Sequence, residues 1–167
     1  QAEQLRDRLA NEKIDVIYTS RLRRASATAE IIASRHQLSV IICPELLEIN
    51  FGKAEGLTFK EIEQLYPELV KAWPTRDLTF RYPGGESLGD LNNRVIKFLE
   101  RLEKHAPEET ILVVAHSGIL RLLICHLLKI EPLHSRKLRT VLASLSIVET
   151  YPQLAILTLL NDVSHLR

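Results

Sequence analysis

Two junctions of the same kind constrain what this chain can fold into. In each, a short apolar run rich in β-branched residues stops on a polar residue, and a helical pattern starts at once. The first is Ile14-Asp-Val-Ile-Tyr-Thr-Ser20, followed by Leu22, Ala25, Ala29 and Ile32 at helical spacing. The second is Ile111-Leu-Val-Val-Ala-His116, followed by Ser117-Gly118 and an apolar helical stretch. Strands alternating with helices predict a three-layer α/β/α sandwich around a mostly parallel sheet. Ligands of such open sheets bind outside the carboxyl ends of the strands. The first amides of the following helix also favour an anion there.

His116 stands at one of these strand ends. A lone histidine in that place reads equally as a buried group closing a core strand. At the other end, Arg21, Arg23 and Arg24 crowd the start of a helix, where the macrodipole prefers acidic residues. Such a run is either a solvated face or a set in which at least one guanidinium points at an anion. If the two strands are parallel members of one sheet, Arg24 and His116 share an edge, and a phosphate pocket is outlined.

The length of 167 residues suits one domain over 1–167 with a real core. A net charge of +1 points to neither nucleic acid nor a membrane surface as partner. No apolar run approaches the ~20 residues needed to span a bilayer, and the polar start Gln1-Ala-Glu-Gln is no signal peptide. A cytoplasmic protein is expected. Cys43 and Cys125 form no CxxC pair and are too few for a structural zinc site; reduced thiols are expected, with Cys125 in the core.

Along the chain, the spacing predicts helices over 1–12 and 22–36 and strands over 14–19 and 40–42. The loop 43–57 carries Glu45, Glu48 and Glu55. Thr58-Phe-Lys-Glu61 is a capping box, and Pro67 restarts the chain in a short helix through Trp73. After an irregular stretch closing with Tyr82-Pro-Gly-Gly-Glu86, Ser87 caps a long helix with Leu91, Val95, Phe98, Leu99 and Leu102 as its buried stripe. A strand at 110–115, a helix at 118–129 and strands near 145–150 and 154–160 complete the reading. The chain opens on a helix leading straight into a strand and contains no methionine. The expected first strand of a βαβ unit is therefore absent, and the sequence reads as N-terminally truncated.

Ser20-Arg-Leu-Arg-Arg24-Ala-Ser-Ala-Thr28-Ala resembles the SxLxRAxxTA signature of the histidine phosphatase superfamily, in its phosphoglycerate-mutase-like branch. Leu47-Glu48-Ile-Asn-Phe-Gly52-Lys-Ala-Glu-Gly56 is similar to the family's LxExxFGxxEG loop. Pro83-Gly-Gly-Glu86-Ser87 resembles its PGGES element, and Val113-Val-Ala-His116-Ser-Gly resembles its second-histidine motif. The four stand in the family's order over essentially the whole chain. The resemblance implies that Arg24 contacts the phosphoryl group, that His116 steadies it with Ser117 beside it, and that Glu48 protonates the leaving alkoxide. Glu45 and Glu55 are the rivals for that last role. No metal and no cofactor is implied, since arginine and histidine can neutralise phosphoryl oxygens.

One departure is large. The family's nucleophile sits in an LxRHG motif after the first strand, and no Arg-His-Gly occurs here. None of His36, His105, His126, His134 and His165 follows a strand in the required manner. The expectation is an intact parent protein that hydrolyses phosphomonoesters through a phosphohistidine, with these 167 residues alone inactive and poorly stable. The compact 56–86 segment favours a phosphatase over a mutase, and the PGGES element resembles the α-ribazole phosphatase group. The substrate is then α-ribazole 5'-phosphate or another small phosphorylated metabolite.

The segment 51–86 holds nearly all the aromatics. Phe51, Trp73 and Tyr82 are candidate substrate contacts, with simple packing as the alternative; Lys53, Arg76 and Arg81 either meet an acidic substrate or solvate the loop. A non-catalytic phosphate- or partner-binding module of the same fold and a phosphoglycerate mutase are the competing readings. A P-loop hydrolase lacks its GxxxxGKS/T motif.

Overall fold

The β-branched and apolar runs over 14–19, 40–42 and 111–114 are suited to strands, with Ile17 and Tyr18 buried and Ile41 and Ile42 left exposed. The computed structural model describes residues 1–75 and 77–167. In it, β1 (Val16–Thr19), β2 (Val40–Ile42) and β3 (Ile111–Val114) form a parallel sheet in the order β2-β1-β3. The register pairs Ile17 with Val40 and Leu112, and Thr19 with Ile42 and Val114. Two further strands, β4 (Leu145–Thr150) and β5 (Ala155–Asp162), pair antiparallel as a ladder of their own. The mostly parallel α/β architecture expected from the alternation is what the structure shows.

The helices are α1 (Ala2–Leu9), α2 (Arg23–His36), α3 (Phe59–Leu65), α4 (Pro67–Ala72), α5 (Leu88–Leu102) and α6 (Ser117–Leu127). Helix α1 stops at Leu9, short of the expected 12, with Ala10 as its capping residue and the polar Asn11, Glu12 and Lys13 after it. Two compact units emerge, one from 1–48 with 95–167 and the other from 49–94.

In the first unit, alternation along β1 sorts its side chains to two faces. Ile17 packs with Ala29 and Ala33 of α2, and the neighbouring cluster joins Leu5, Leu9, Ile32 and Leu145. Tyr18 points the other way, edge-on to Phe98 of α5 with ring centroids 5.5 Å apart. Its hydroxyl meets His105 Nε2 at 2.8 Å, and His105 Nδ1 meets Glu109 at 3.0 Å. Cys43 and Cys125 are buried and free, and burial pushes both thiols up, which keeps them unreactive.

The second unit is built from turns and short helices. Both sides of the Thr58–Glu61 capping box are made, opening α3. Ser87 and Asp90 exchange the same reciprocal bonds, Asp90 N–H to Ser87 Oγ at 3.0 Å and Ser87 N–H to the Asp90 carboxylate at 2.9 Å, at the start of α5.

Candidate active site

Because β1 and β3 are parallel neighbours in register, their chains leave the sheet side by side. Thr19 Oγ1 donates to Val114 O at 2.9 Å across the last rung. One residue further on, Ser20 Oγ lies 2.8 Å from His116 Nε2. Ser20 is fully buried and His116 nearly so. The serine hydroxyl also accepts the Leu22 N–H at 3.1 Å, so one oxygen fixes both the histidine ring and the turn into α2. That helix starts at Arg23, with Leu22 rather than Ser20 as its capping residue.

His116 itself caps α6 from an extended backbone, φ −119° and ψ 156°. Ser117 Oγ sits 2.6 Å from Thr140 Oγ1, and Arg121 Nε donates back to Ser117 O at 3.1 Å. Arg23 and Arg24 lie exposed on the first turn of α2, where no acidic residue joins them, and Arg21 lies exposed just before the capping residue Leu22. None of these three guanidinium groups is paired with a carboxylate among the described residues. Guanidinium groups near the positive end of a helix dipole are placed where an anion is favoured.

The loop after β2 starts from the same edge, since Cys43 N–H donates to Thr19 O at 2.8 Å. A turn at Pro44–Leu46 leads to Glu48, which is half-buried. Of its rivals, Glu45 is held by Arg101 at 3.2 Å, and Glu55 is exposed. Glu48 is thus the loop carboxylate that is neither fully solvated nor held by that ion pair.

The second unit holds Phe51, Trp73 and Tyr82. Tyr82 is buried at the centre of an aromatic cluster, with ring centroids 4.9 Å from Phe51, 5.2 Å from Phe80 and 6.5 Å from Trp73. Its ring is used for packing, whereas Phe51 and Trp73 keep part of their surface. Arg81 donates to Gly85 O at 3.0 Å and pairs with Asp90 at 2.8 Å, a structural use. Lys53 is exposed. Arg76 lies outside the described residues.

A turn at 83–86 is closed against the 50–53 loop: Lys53 N–H donates to Pro83 O at 2.8 Å and Glu86 N–H to Asn50 O at 2.9 Å. The approach leaves room only for glycine. A Cβ on Gly52 would strike Pro83 O, and one on Gly85 would strike Asn50 O.

The model of the histidine phosphatase superfamily, branch 1, matches residues 1–163. The chain belongs to that superfamily. It is 33% identical over 166 residues to phosphoserine phosphatase 1 of Hydrogenobacter thermophilus, covering 99% of this chain and 79% of that protein. It is 36% identical over 129 residues to the adenosylcobalamin/alpha-ribazole phosphatase of Escherichia coli, covering 77% and 63% respectively. Among solved structures, the alpha-ribazole phosphatase from Shigella flexneri superposes with a TM-score of 0.87 at 31% identity, over 96% of this chain and 80% of that one. Named phosphatases thus stand among the relatives of this chain in sequence and in fold, beside a phosphoglycerate mutase-like protein of Arabidopsis thaliana that is 37% identical over 124 residues. Among the described residues no helix is long and apolar enough to cross a membrane.

Reading the sequence for this superfamily's motifs missed the supports of the site. Ser20 had a usable signal, because it ends the apolar run of β1 as His116 ends that of β3. Thr140 had none, since only folding brings it to Ser117.

Proposed function

We propose that the full-length protein carrying these residues hydrolyses phosphomonoesters of small metabolites through a phosphohistidine intermediate. Arg24, His116 and Ser117 hold the phosphoryl group, with charge neutralised by side chains alone. The phosphoryl group leaves the ester oxygen for a histidine nitrogen while Glu48 gives its proton to the departing alkoxide. Water then attacks the phosphohistidine, Glu48 takes back a proton, and inorganic phosphate is released. The carrying observation is the Ser20–His116 bond at the carboxyl ends of two parallel strands, beside a helix start bearing three unpaired arginines.

No Arg-His-Gly stands among residues 1–167, so the phosphohistidine step of this proposal needs a nucleophilic histidine from outside them. The outer edge of β3, next to the His116 turn, is the natural place for its strand. Reading the upstream codons for LxRHG tests this, and a start codon immediately before Gln1 would contradict it. The relatives named above make α-ribazole 5'-phosphate and phosphoserine the first substrates to assay. In the full-length protein, Arg24→Ala and His116→Ala should each lower kcat/KM by about 10²–10³-fold. Turnover unchanged in both would remove the assignment.

A further inference from the structure

Helix α5 carries two arginines seven residues, or about two turns, apart, which places them on one face. Each is bonded to a glutamate belonging to a different neighbourhood of Glu48. In the second unit, Arg94 grips Glu86 with a two-pronged fork, Nε to Oε1 and the terminal nitrogen to Oε2, both at 2.8 Å. Glu86 in turn holds both backbone groups of Asn50. Its carboxylate accepts the Asn50 N–H at 2.8 Å, and its own N–H donates to Asn50 O at 2.9 Å. Burial alone would raise the Glu86 carboxyl, but the Arg94 fork and the Asn50 amide outweigh it and hold it below its ordinary value. In the first unit, Arg101 meets Glu45 through a single contact at 3.2 Å. The two ties fall three residues before Glu48 and two residues after it.

We propose that Arg94 and Arg101 are positioning residues for Glu48, acting through Glu86 and Glu45. The inference rests on Glu48 being the proton donor. A proton donor must stay within hydrogen-bond reach of the leaving oxygen, and a loop fixed only by its own backbone would sample many placements. Each tie, within its own unit, fixes the chain a few residues from the acid and limits that sampling. The bidentate, half-buried Arg94–Glu86 pair is the stronger tie, and the more exposed Arg101–Glu45 pair the weaker.

The test exploits leaving groups. A simple alkyl phosphate needs its departing oxygen protonated, whereas p-nitrophenyl phosphate scarcely does. Full-length protein is assayed on both substrates as Arg94→Ala, Arg94→Lys, Arg101→Ala, Glu48→Gln, and the Glu48→Gln/Arg94→Ala double variant. Arg94→Ala is expected to lower kcat on the alkyl phosphate by about 10-fold or more, with KM within about 2-fold and p-nitrophenyl phosphate within about 3-fold. Lysine at 94 restores part of the loss, Arg101→Ala gives a smaller effect of the same kind, and Arg94→Ala costs nothing further once Glu48 is gone.

Equal losses on both substrates, or full additivity with Glu48→Gln, would overturn the positioning role. If Glu48→Gln itself treats the two substrates alike, the acid assignment fails and the positioning role falls with it; that result is separately recognisable. Should circular dichroism show Arg94→Ala unfolded, Arg94→Lys and Arg101→Ala decide the matter on the same criterion.

Discussion

The two units place their residues by different means. In the first, Ser20 and His116 are set by parallel strands in register, and the backbone ladder does the positioning. In the second, whose described residues form no strand apart from one bridge between Arg81 and Ser87, a tight turn, two glycines and one glutamate clamp hold a loop. Sheet-borne side chains can therefore be removed with little effect on placement, so their loss shows in chemistry. Loss of a single contact in the second unit shows in geometry.

The largest expected effect separates the two behaviours. Arg24→Ala removes an exposed, unpaired side chain and should leave stability within about 0.5 kcal/mol, while turnover by the full-length protein falls by about 10²–10³-fold. A melting curve beside a rate assay checks both, and a matching collapse in stability would erase the distinction. Gly85→Ala should do the reverse. It drives a methyl group against Asn50 O and should cost about 2–3 kcal/mol, as overpacking does. Hydrogen exchange should rise within 49–94 and stay low in β1 and β3.

Glu86→Gln sharpens the comparison through pH. The folded carboxyl lies below its unfolded value, so its contribution is complete above about pH 4.3 and fades as pH falls through the lower folded value. The variant should be less stable than the parent by about 1–2 kcal/mol near neutrality, with the gap closing on acidification. A gap constant from pH 6 to pH 3 would show that the carboxylate's charge plays no part. Thr58→Ala is the smallest change. Loss of the cap on α3 should cost about 1 kcal/mol, read as a small drop in urea midpoint.

What could be read from the sequence follows the reach of the forces involved. The capping box at Thr58–Glu61 and the start of α5 at Ser87 are local patterns, and both stand where spacing placed them. The strand ends at Ser20 and His116 were legible because apolar runs stop abruptly there. Their hydrogen bond was not, since it joins residues 96 positions apart and depends on β1 and β3 being neighbours. Tyr82 illustrates the opposite gap: its type and segment suggested a substrate contact, but its burial among Phe51, Trp73 and Phe80 is a product of packing. The Arg94–Glu86–Asn50 tie carried no local pattern, because it depends on the approach of two glycine-bearing loops.

The anion site proposed at the ends of β1 and β3 can be tested without turnover. Inorganic phosphate is titrated into the 15N-labelled chain while backbone amide and histidine ring resonances are followed by NMR. Saturable shifts should appear at residues 20–25 and 116–118, including the His116 ring, and should vanish in Arg24→Ala. Shifts that persist undiminished in Arg24→Ala, or an unmoved His116 ring at saturating phosphate, would contradict the site.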